Sequence, residues 1–144
     1  MAKVTFIIGL AGSGKTHLLH EMLKTQPELF HIDEGFDPGG GGIHEKNFLH
    51  VVDCLRQGTD CVVIEAVLCF ESKRVEIEKM LTTAVEDVVI VWKCFENDLN
   101  KANSNVRRRS NKGDPGGHVD INNRLSLIYT IPKGTKPLAI FEIS

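Results

Sequence analysis

The sequence predicts an α/β fold, a three-layer sandwich in which a mainly parallel sheet of five strands lies between helices. Strand-like apolar runs alternate along the 144 residues with segments whose apolar residues recur at helical spacing. The runs at 61–68 and 88–92 are almost continuously apolar, which is typical of strands buried on both faces of a parallel sheet. A glycine-rich segment that contains a lysine, residues 9–16, joins the first strand to the first helix.

Each element follows from local residue chemistry. Apolar, β-branched stretches give the strands, and Pro27 and Gly58 end the first two helices because neither residue continues a helix well. Four glycines in 36–42 predict a mobile loop, either a plain surface loop or a flap beside a substrate. The predicted strands are residues 3–8, 29–32, 61–68, 87–95 and 137–143, and the predicted helices are 17–24, 43–57, 72–83, 98–109 and about 120–129.

Residues 9–16 read Gly-Leu-Ala-Gly-Ser-Gly-Lys-Thr, which is the spacing of a phosphate-binding loop. Glycines let successive backbone N–H groups face an anion, and the helix N-terminus adds partial positive charge. Lys15 would reach the outer phosphates of a nucleotide, and Thr16 would offer its hydroxyl to Mg²⁺. The alternative is an ordinary glycine turn. We predict that ATP binds here through Gly9, Ala11, Gly12, Ser13, Gly14, Lys15, Thr16 and His17, and that Lys15 also acts in catalysis.

Two carboxylates are candidates for the chemistry because they follow predicted strands. Glu65 interrupts the apolar run 61–68, where an unpartnered charge is costly, so we predict that it binds Mg²⁺ together with Thr16. Asp33 ends the second strand, where it would orient an acceptor hydroxyl and take its proton, with Glu34 as the other candidate base. The alternatives are a strand-end charge in solvent for Glu65 and a turn-capping residue for Asp33.

A cluster of three arginines, 107–109, lies between polar and glycine-rich segments. Charge on a transferring phosphoryl group needs cations opposite the phosphate loop, so we predict catalytic roles for Arg107 and Arg108. All three cannot face one ligand from a helix, and the alternative is a solvated helix end. We predict one domain over residues 1–144, with a small mobile lid at about 101–118.

Composition limits the function classes. The net charge of −2 argues against an extended nucleic-acid track, although a short pocket for a nucleic-acid end stays open. No apolar run has the length of a membrane span, so we expect no membrane partner. The four cysteines lie mostly in apolar surroundings without C-x-x-C spacing, which indicates reduced thiols in or near the core of a cytoplasmic protein.

Taken together, the loop at 9–16, Asp33, the strand ending in Glu65 and the polar, arginine-rich segment 103–109 resemble the P-loop kinases of the polynucleotide-kinase-like and nucleoside/nucleotide-kinase group. Residues 119–129 resemble the helix that follows the lid in that group. The resemblance implies a five-stranded parallel sheet, a Walker A loop for MgATP, a catalytic aspartate after the second strand, and lid arginines that bind phosphates. In this chain Glu65 stands where an aspartate is common, and the lid lacks the family's clear Arg-Asn pair.

Three functions follow as hypotheses. The first is a kinase that transfers the γ-phosphate of MgATP to a small molecule, a nucleoside or a nucleotide. The second is an ATPase or switch module without an acceptor, which would leave Asp33 and the arginines without a role. The third is a kinase for 5′-hydroxyl ends of nucleic acids. The sequence names no acceptor for the phosphoryl group.

Overall fold

Four parallel strands form one sheet in the computed structural model, which describes residues 1–109 and 112–143. The order across the sheet is β2-β3-β1-β4. Helices flank this sheet, so the predicted α/β fold with a parallel sheet is confirmed. The strands are β1 (Lys3–Ile8), β2 (Phe30–Asp33), β3 (Cys61–Ile64) and β4 (Val89–Cys94), and the helices are α1 (Lys15–Thr25), α2 (Gly42–Arg56), α3 (Glu71–Ala84), α4 (Leu99–Arg108) and α5 (His118–Leu125).

The strand order places a crevice at the carboxyl end of β1. The chain first leaves β1 for β2 and β3 on one side, and only later adds β4 on the other. In open α/β sheets, ligands bind beyond the carboxyl ends of the strands at such a reversal. The loop that follows β1, residues 9–14, therefore occupies the position where the fold itself favours a binding site.

The prediction of a fifth strand at 137–143 is wrong within the described residues, because the sheet there has four strands. Leu138 forms only an isolated parallel bridge with Phe95, just beyond β4. Further along this segment, the side chain of Asn105 makes the backbone hydrogen bonds that a neighbouring strand would make. It accepts the N–H of Ile143 at 2.8 Å and donates to the carbonyl of Phe141 at 2.7 Å. Side-chain bonds thus satisfy backbone groups that a fifth strand would have paired.

The strand predicted over 61–68 is also shorter than expected. β3 ends at Ile64, and a 3₁₀ helix, Ala66–Cys69, continues the apolar run. Glu65 is the N-cap of this 3₁₀ helix, and its carboxylate accepts the N–H of Val67 at 3.5 Å. Continuous apolarity could not distinguish the two structures, since the strand and the end of the 3₁₀ helix, Leu68 and Cys69, are both buried in the core.

Arg74 of α3 fixes the end of this 3₁₀ helix. The guanidinium is 5% exposed and donates to the carbonyls of Leu68 and Cys69 at 2.9 and 3.1 Å. It also donates to the hydroxyl of Thr130 at 2.9 Å. These bonds satisfy a cation that would otherwise be costly to bury.

The core is centred on β1, whose side chains from Val4 to Ile8 are buried, with Thr5 as the polar member. Phe6 stacks on Trp92 of β4 with ring centroids 4.7 Å apart and meets Phe36 at 5.8 Å. Phe36 follows β2, so this aromatic cluster joins three parts of the sheet. The predicted core placement of the cysteines is confirmed for Cys61, Cys69 and Cys94, which are buried, and Cys54 is half-buried. None of the described helices is long and apolar enough to cross a membrane.

Removal of the Phe6 ring should destabilise the whole domain, because it leaves a cavity between Trp92 and Phe36. We expect Phe6→Ala to lower the free energy of unfolding by about 3–5 kcal/mol, measured by urea denaturation. Phe141→Ala is the matched control, since that ring is 84% exposed, and it should change stability by no more than about 0.5 kcal/mol. Equal effects of the two substitutions would contradict this account of the core.

Candidate phosphate-binding site

The loop at 9–14 has the backbone of a tight turn between strand and helix. Gly12 and Gly14 lie in the left-handed region, with φ of 86° and 108°. Only glycine adopts this region without strain, so both positions require it. Gly14 is also the N-cap of α1, and no side chain caps this end of the helix in the described part of the chain. The first N–H groups of α1 therefore point toward the space above the loop.

Helix α4 packs directly on this loop. A Cβ atom at Gly12 would lie 2.4 Å from the carbonyl oxygen of Ala102, so no larger residue fits. Asn105 reaches the same glycine and donates to its carbonyl at 3.0 Å. The inner face of α4, formed by Ala102, Asn103, Asn105 and Val106, is buried for this reason.

Asn122 of α5 holds the loop by two hydrogen bonds to one residue. Its Oδ1 accepts the N–H of Ala11 at 2.9 Å, and its Nδ2 donates to the carbonyl of Ala11 at 2.9 Å. Nδ2 also donates to Oδ1 of Asn103 at 3.0 Å, and Asn122 is fully buried. We call the pair of hydrogen bonds between Asn122 and Ala11 the Asn122 bracket. Because the buried amide of Asn122 has its partners, its position is fixed, and the bracket holds the loop in an open shape.

Lys15 points back onto the loop. Its Nζ donates to the carbonyl of Gly9 at 2.7 Å. Burial lowers the pKa of Lys15, while Cys69 and the nearby carboxylates of Asp33, Glu34 and Glu65 act in the opposite direction. The structure therefore brings the predicted lysine and all of the predicted acidic residues into one electrostatic neighbourhood.

A cavity of about 1160 Å³ opens above the loop. The loop lies between two walls of this cavity, because β2 and β3 lie on one side of β1 and β4 lies on the other. The wall on the β2 side contains Asp33, Glu34, Ile64 and Ala66. The wall beyond β4 contains Phe95, Asn105, Arg109, His118, Ile121, Leu125, Leu138, Ala139, Phe141 and Ile143. All of the predicted phosphate-loop residues, from Gly9 to His17, line the same space.

The β2 wall is rigidly built. Asp33 and Glu34 are exposed to the cavity, and Glu34 has a φ of 72°, which is strained for a residue other than glycine. Glu65 accepts the N–H groups of Gly35 and Phe36 at 2.6 and 3.1 Å. These two bonds fix the turn that carries both exposed carboxylates.

The carboxylate oxygens of Glu65 are already occupied by backbone hydrogen bonds. Oε2 already accepts two backbone N–H groups, and Oε1 accepts the N–H of Val67 at 3.5 Å. The residue therefore has a positioning role. Unlike Ile64 and Ala66 on either side of it, Glu65 is not among the residues that line the cavity, and its predicted contact with Mg²⁺ stays a prediction. No group of three or more His, Cys, Asp or Glu side chains within residues 1–109 and 112–143 is arranged to hold a metal ion.

Among the three arginines, the structure brings Arg109 to the cavity, whereas we predicted Arg107 and Arg108. Arg109 lies one helical turn beyond Asn105, which also lines the cavity, so the two share a face. Its guanidinium contacts Nδ1 of His118 at 2.8 Å. Arg108 instead donates to the carbonyl of Ile143 at 2.5 Å, and Arg107 does not line the cavity, because successive residues of a helix point in different directions.

The predicted lid at about 101–118 includes α4, which packs against the loop, and the mobility of the lid stays a prediction. Ala102 and Asn105 are packed against Gly12, so motion of α4 would break the contacts described above. Asp114 caps α5 by accepting the N–H groups of His118 and Val119 at 2.9 and 2.8 Å. Ser110 and Asn111, in the middle of the predicted lid, lie outside the described residues.

Sequence reasoning missed Asn105 and Asn122. The signal was present as asparagines inside two helices, where this residue is unfavourable unless its amide has partners. One further side chain marks the loop itself. Ser13 is 1% exposed, and its hydroxyl has no hydrogen-bond partner in the described part of the molecule. A buried polar atom of this kind fits a loop whose partner is a ligand.

Neither a protein-family model nor a curated protein sequence matches this chain. The crystal structure of a protein named APE1195 is similar, with a TM-score of 0.50 and 16% sequence identity. The match covers 97% of this chain and 84% of that one. At this identity the likeness shows the fold alone, an α/β architecture with a parallel sheet flanked by helices.

The Asn122 bracket yields a stability prediction. Asn122→Ala should lower the free energy of unfolding by about 2 kcal/mol or more, because it leaves half-buried groups of Ala11 and the buried amide of Asn103 without these partners. Asn123→Ala is the control: that side chain is exposed and makes one 3.2 Å bond to Asn103, so its loss should cost less than about 1 kcal/mol. Thermal or urea unfolding measures both. A smaller loss for Asn122→Ala than for Asn123→Ala would exclude the bracket as a structural requirement.

Proposed function

We propose that this protein is a P-loop kinase that transfers the γ-phosphate of MgATP to the hydroxyl of a small acceptor. One observation carries the proposal: a loop with phosphate-binding spacing and the carboxylate of Asp33 face the same cavity at the carboxyl edge of a parallel sheet. An ATPase would need the loop and a metal site, but it would give Asp33 no role. The strand order and the orphan hydroxyl of Ser13 support a ligand at this edge.

The nucleotide phosphates would lie on the loop. The N–H groups at the start of α1 and the partial positive charge of that helix end favour an anion there. Lys15 would exchange its bond to the carbonyl of Gly9 for bonds to phosphate oxygens, which are stronger acceptors because they are charged. The adenine base of the nucleotide would then lie beyond β4. There Ile121, Phe141 and Ile143 expose apolar surface, and Arg109 offers a planar cation.

Magnesium fits the oxygen-rich side of the loop. Thr16 offers a hydroxyl in the cavity. Glu65 does not line the cavity, so its carboxylate would act on the ion through a bound water. Mg²⁺ keeps several waters and uses one or two protein oxygens together with phosphates, so a dense cluster of protein ligands is not required. When bound, the ion neutralises charge that develops on the phosphates.

Asp33 would perform the acid–base part of the transfer. Its carboxylate would accept a hydrogen bond from the acceptor hydroxyl, orient the oxygen toward the γ-phosphorus and take the proton as the new P–O bond forms. The turn at Gly35 and Phe36 holds Asp33 in this place because Glu65 bonds both backbone N–H groups. Lys15 would stabilise the charge on the transferring group from the other side.

Nucleotide binding is tested first by Lys15→Ala. The change removes a cation from the phosphates, and loss of a charge-assisted hydrogen bond should weaken MgATP binding by roughly 10- to 100-fold. Lys79→Ala is the matched control, because Lys79 lies exposed on α3, does not line the cavity and should leave the affinity unchanged. Isothermal titration calorimetry measures both. The same affinity for MgATP in the wild type and Lys15→Ala would reject the phosphate site.

Asp33→Asn separates a kinase from an ATPase. It keeps size and polarity but removes the base, so MgATP affinity should change little while transfer to an acceptor falls by roughly 100-fold or more. Asp53→Asn, on the exposed face of α2, is the control and should match the wild type. Radiolabelled ATP measures both transfer and hydrolysis. If Asp33→Asn transferred phosphate as fast as the wild type, Asp33 would have only a structural role in the turn, and the ATPase hypothesis would be favoured.

A further inference from the structure

The two walls of the cavity differ in charge. Five residues with formal charge line it in the described part of the chain, namely Lys15, Glu21, Asp33, Glu34 and Arg109. Glu21 is paired with Lys24 at 3.0 Å. On the β2 side the described lining residues are the carboxylates of Asp33 and Glu34 beside the apolar Ile64 and Ala66, and that wall contains neither lysine nor arginine.

The cations of the site lie elsewhere. Lys15 lies on the loop between the two walls, and in the proposed function its charge is used by the nucleotide phosphates. Arg109 belongs to α4, which follows β4 at the opposite edge of the sheet from β2. Lys73 lies near the glycine-rich turn after β2, but it pairs with Asp37 and Glu76 at 3.2 and 3.3 Å. A second anion beside Asp33 would therefore meet negative charge without a matching cation.

From this charge distribution we propose that the acceptor is an uncharged or cationic alcohol, and not a nucleotide, a sugar phosphate or the end of a nucleic acid. The proposal rests on the kinase function and narrows its substrate. An alcohol needs no cation at the acceptor wall, and an ammonium group on it would pair with Glu34. A phosphorylated acceptor would be repelled both by the two carboxylates and by bound MgATP, which itself carries net negative charge.

The reaction balances without any further reactant. The acceptor oxygen forms a bond to the γ-phosphorus, and the bond from that phosphorus to the bridging oxygen of ADP breaks. Asp33 receives the hydroxyl proton and later releases it to solvent. The products are a phosphate monoester, ADP and one proton.

Hydrogen bonds hold the backbone that carries Asp33 and Glu34. The N–H of Glu34 donates to the carbonyl of Ile64 at 2.8 Å, and the Nδ2 of Asn47 donates to the carbonyl of Gly35 at 2.8 Å. With the two bonds to Glu65, these contacts hold both faces of the turn. The backbone positions of both carboxylate residues are thus set by the fold.

Charged nitroxide probes test this wall without knowledge of the acceptor. Aminomethyl-PROXYL and carboxy-PROXYL share one ring and differ in charge, and each broadens the amide signals of the residues it approaches. In low salt, with a non-hydrolysable MgATP analogue bound, the cationic probe should give about tenfold greater relaxation enhancement at Asp33, Glu34 and Ala66. Glu34→Gln should reduce this ratio. Glu28→Gln is the control and should leave the ratio unchanged. Glu28 precedes β2 and so lies at the amino ends of the strands, away from the cavity at their carboxyl ends.

Phosphoryl transfer tests the acceptor class on one scaffold. Glucose, glucosamine and glucose 6-phosphate share a sugar ring and are neutral, cationic and anionic. Glycerol, serinol and glycerol 3-phosphate form a second matched set. We expect higher kcat/KM for the neutral or cationic member of each set, and Glu34→Lys should reduce the preference. Faster transfer to the phosphorylated member, or an anionic probe favoured at the β2 wall, would overturn the proposal.

The two proposals fail in different ways. A protein that binds no MgATP would refute the kinase, and the probe ratio measured without nucleotide would still report the charge of the wall. A protein that binds MgATP and shows an inverted probe ratio would refute the acceptor class and leave the nucleotide site intact.

Discussion

The bracket that Asn122 forms around Ala11 is the interaction on which the site depends. A phosphate-binding loop must keep its backbone N–H groups turned toward an anion, although they would pair more cheaply with the loop's own carbonyls. Asn122 removes one such alternative by bonding both the N–H and the carbonyl of Ala11. The residues are 111 positions apart in the chain, so the shape of the loop depends on a tertiary contact with α5.

The buried asparagines also join the loop to the wall beyond β4, where the adenine base of the nucleotide would lie. Asn105 bonds the carbonyls of Gly12 and Phe141 and the N–H of Ile143 through one side chain. The loop and the segment beyond β4 therefore form one unit. The β2 wall is held separately, by Glu65 from β3, so the nucleotide side and the acceptor side have independent supports.

Local patterns predicted the fold class and most elements, because strand and helix periodicity are local. They failed where side chains replaced regular structure. Glu65 ended β3 by capping a 3₁₀ helix, and Asn105 held the segment that we had predicted as a fifth strand. The placement of Arg109 rather than Arg107 and Arg108 depends on the rotation of α4 about its axis, which is set by its packing on Gly12.

The most direct test of the central claim is a crystal structure with Mg²⁺ and a non-hydrolysable ATP analogue. We expect the β-phosphate to lie within hydrogen-bond distance of the backbone N–H groups of residues 12–16. We also expect Lys15 to leave the carbonyl of Gly9 for the phosphates while both bonds from Asn122 to Ala11 persist. A nucleotide bound away from this loop, or a Lys15 that remains on Gly9 beside bound phosphates, would contradict this claim.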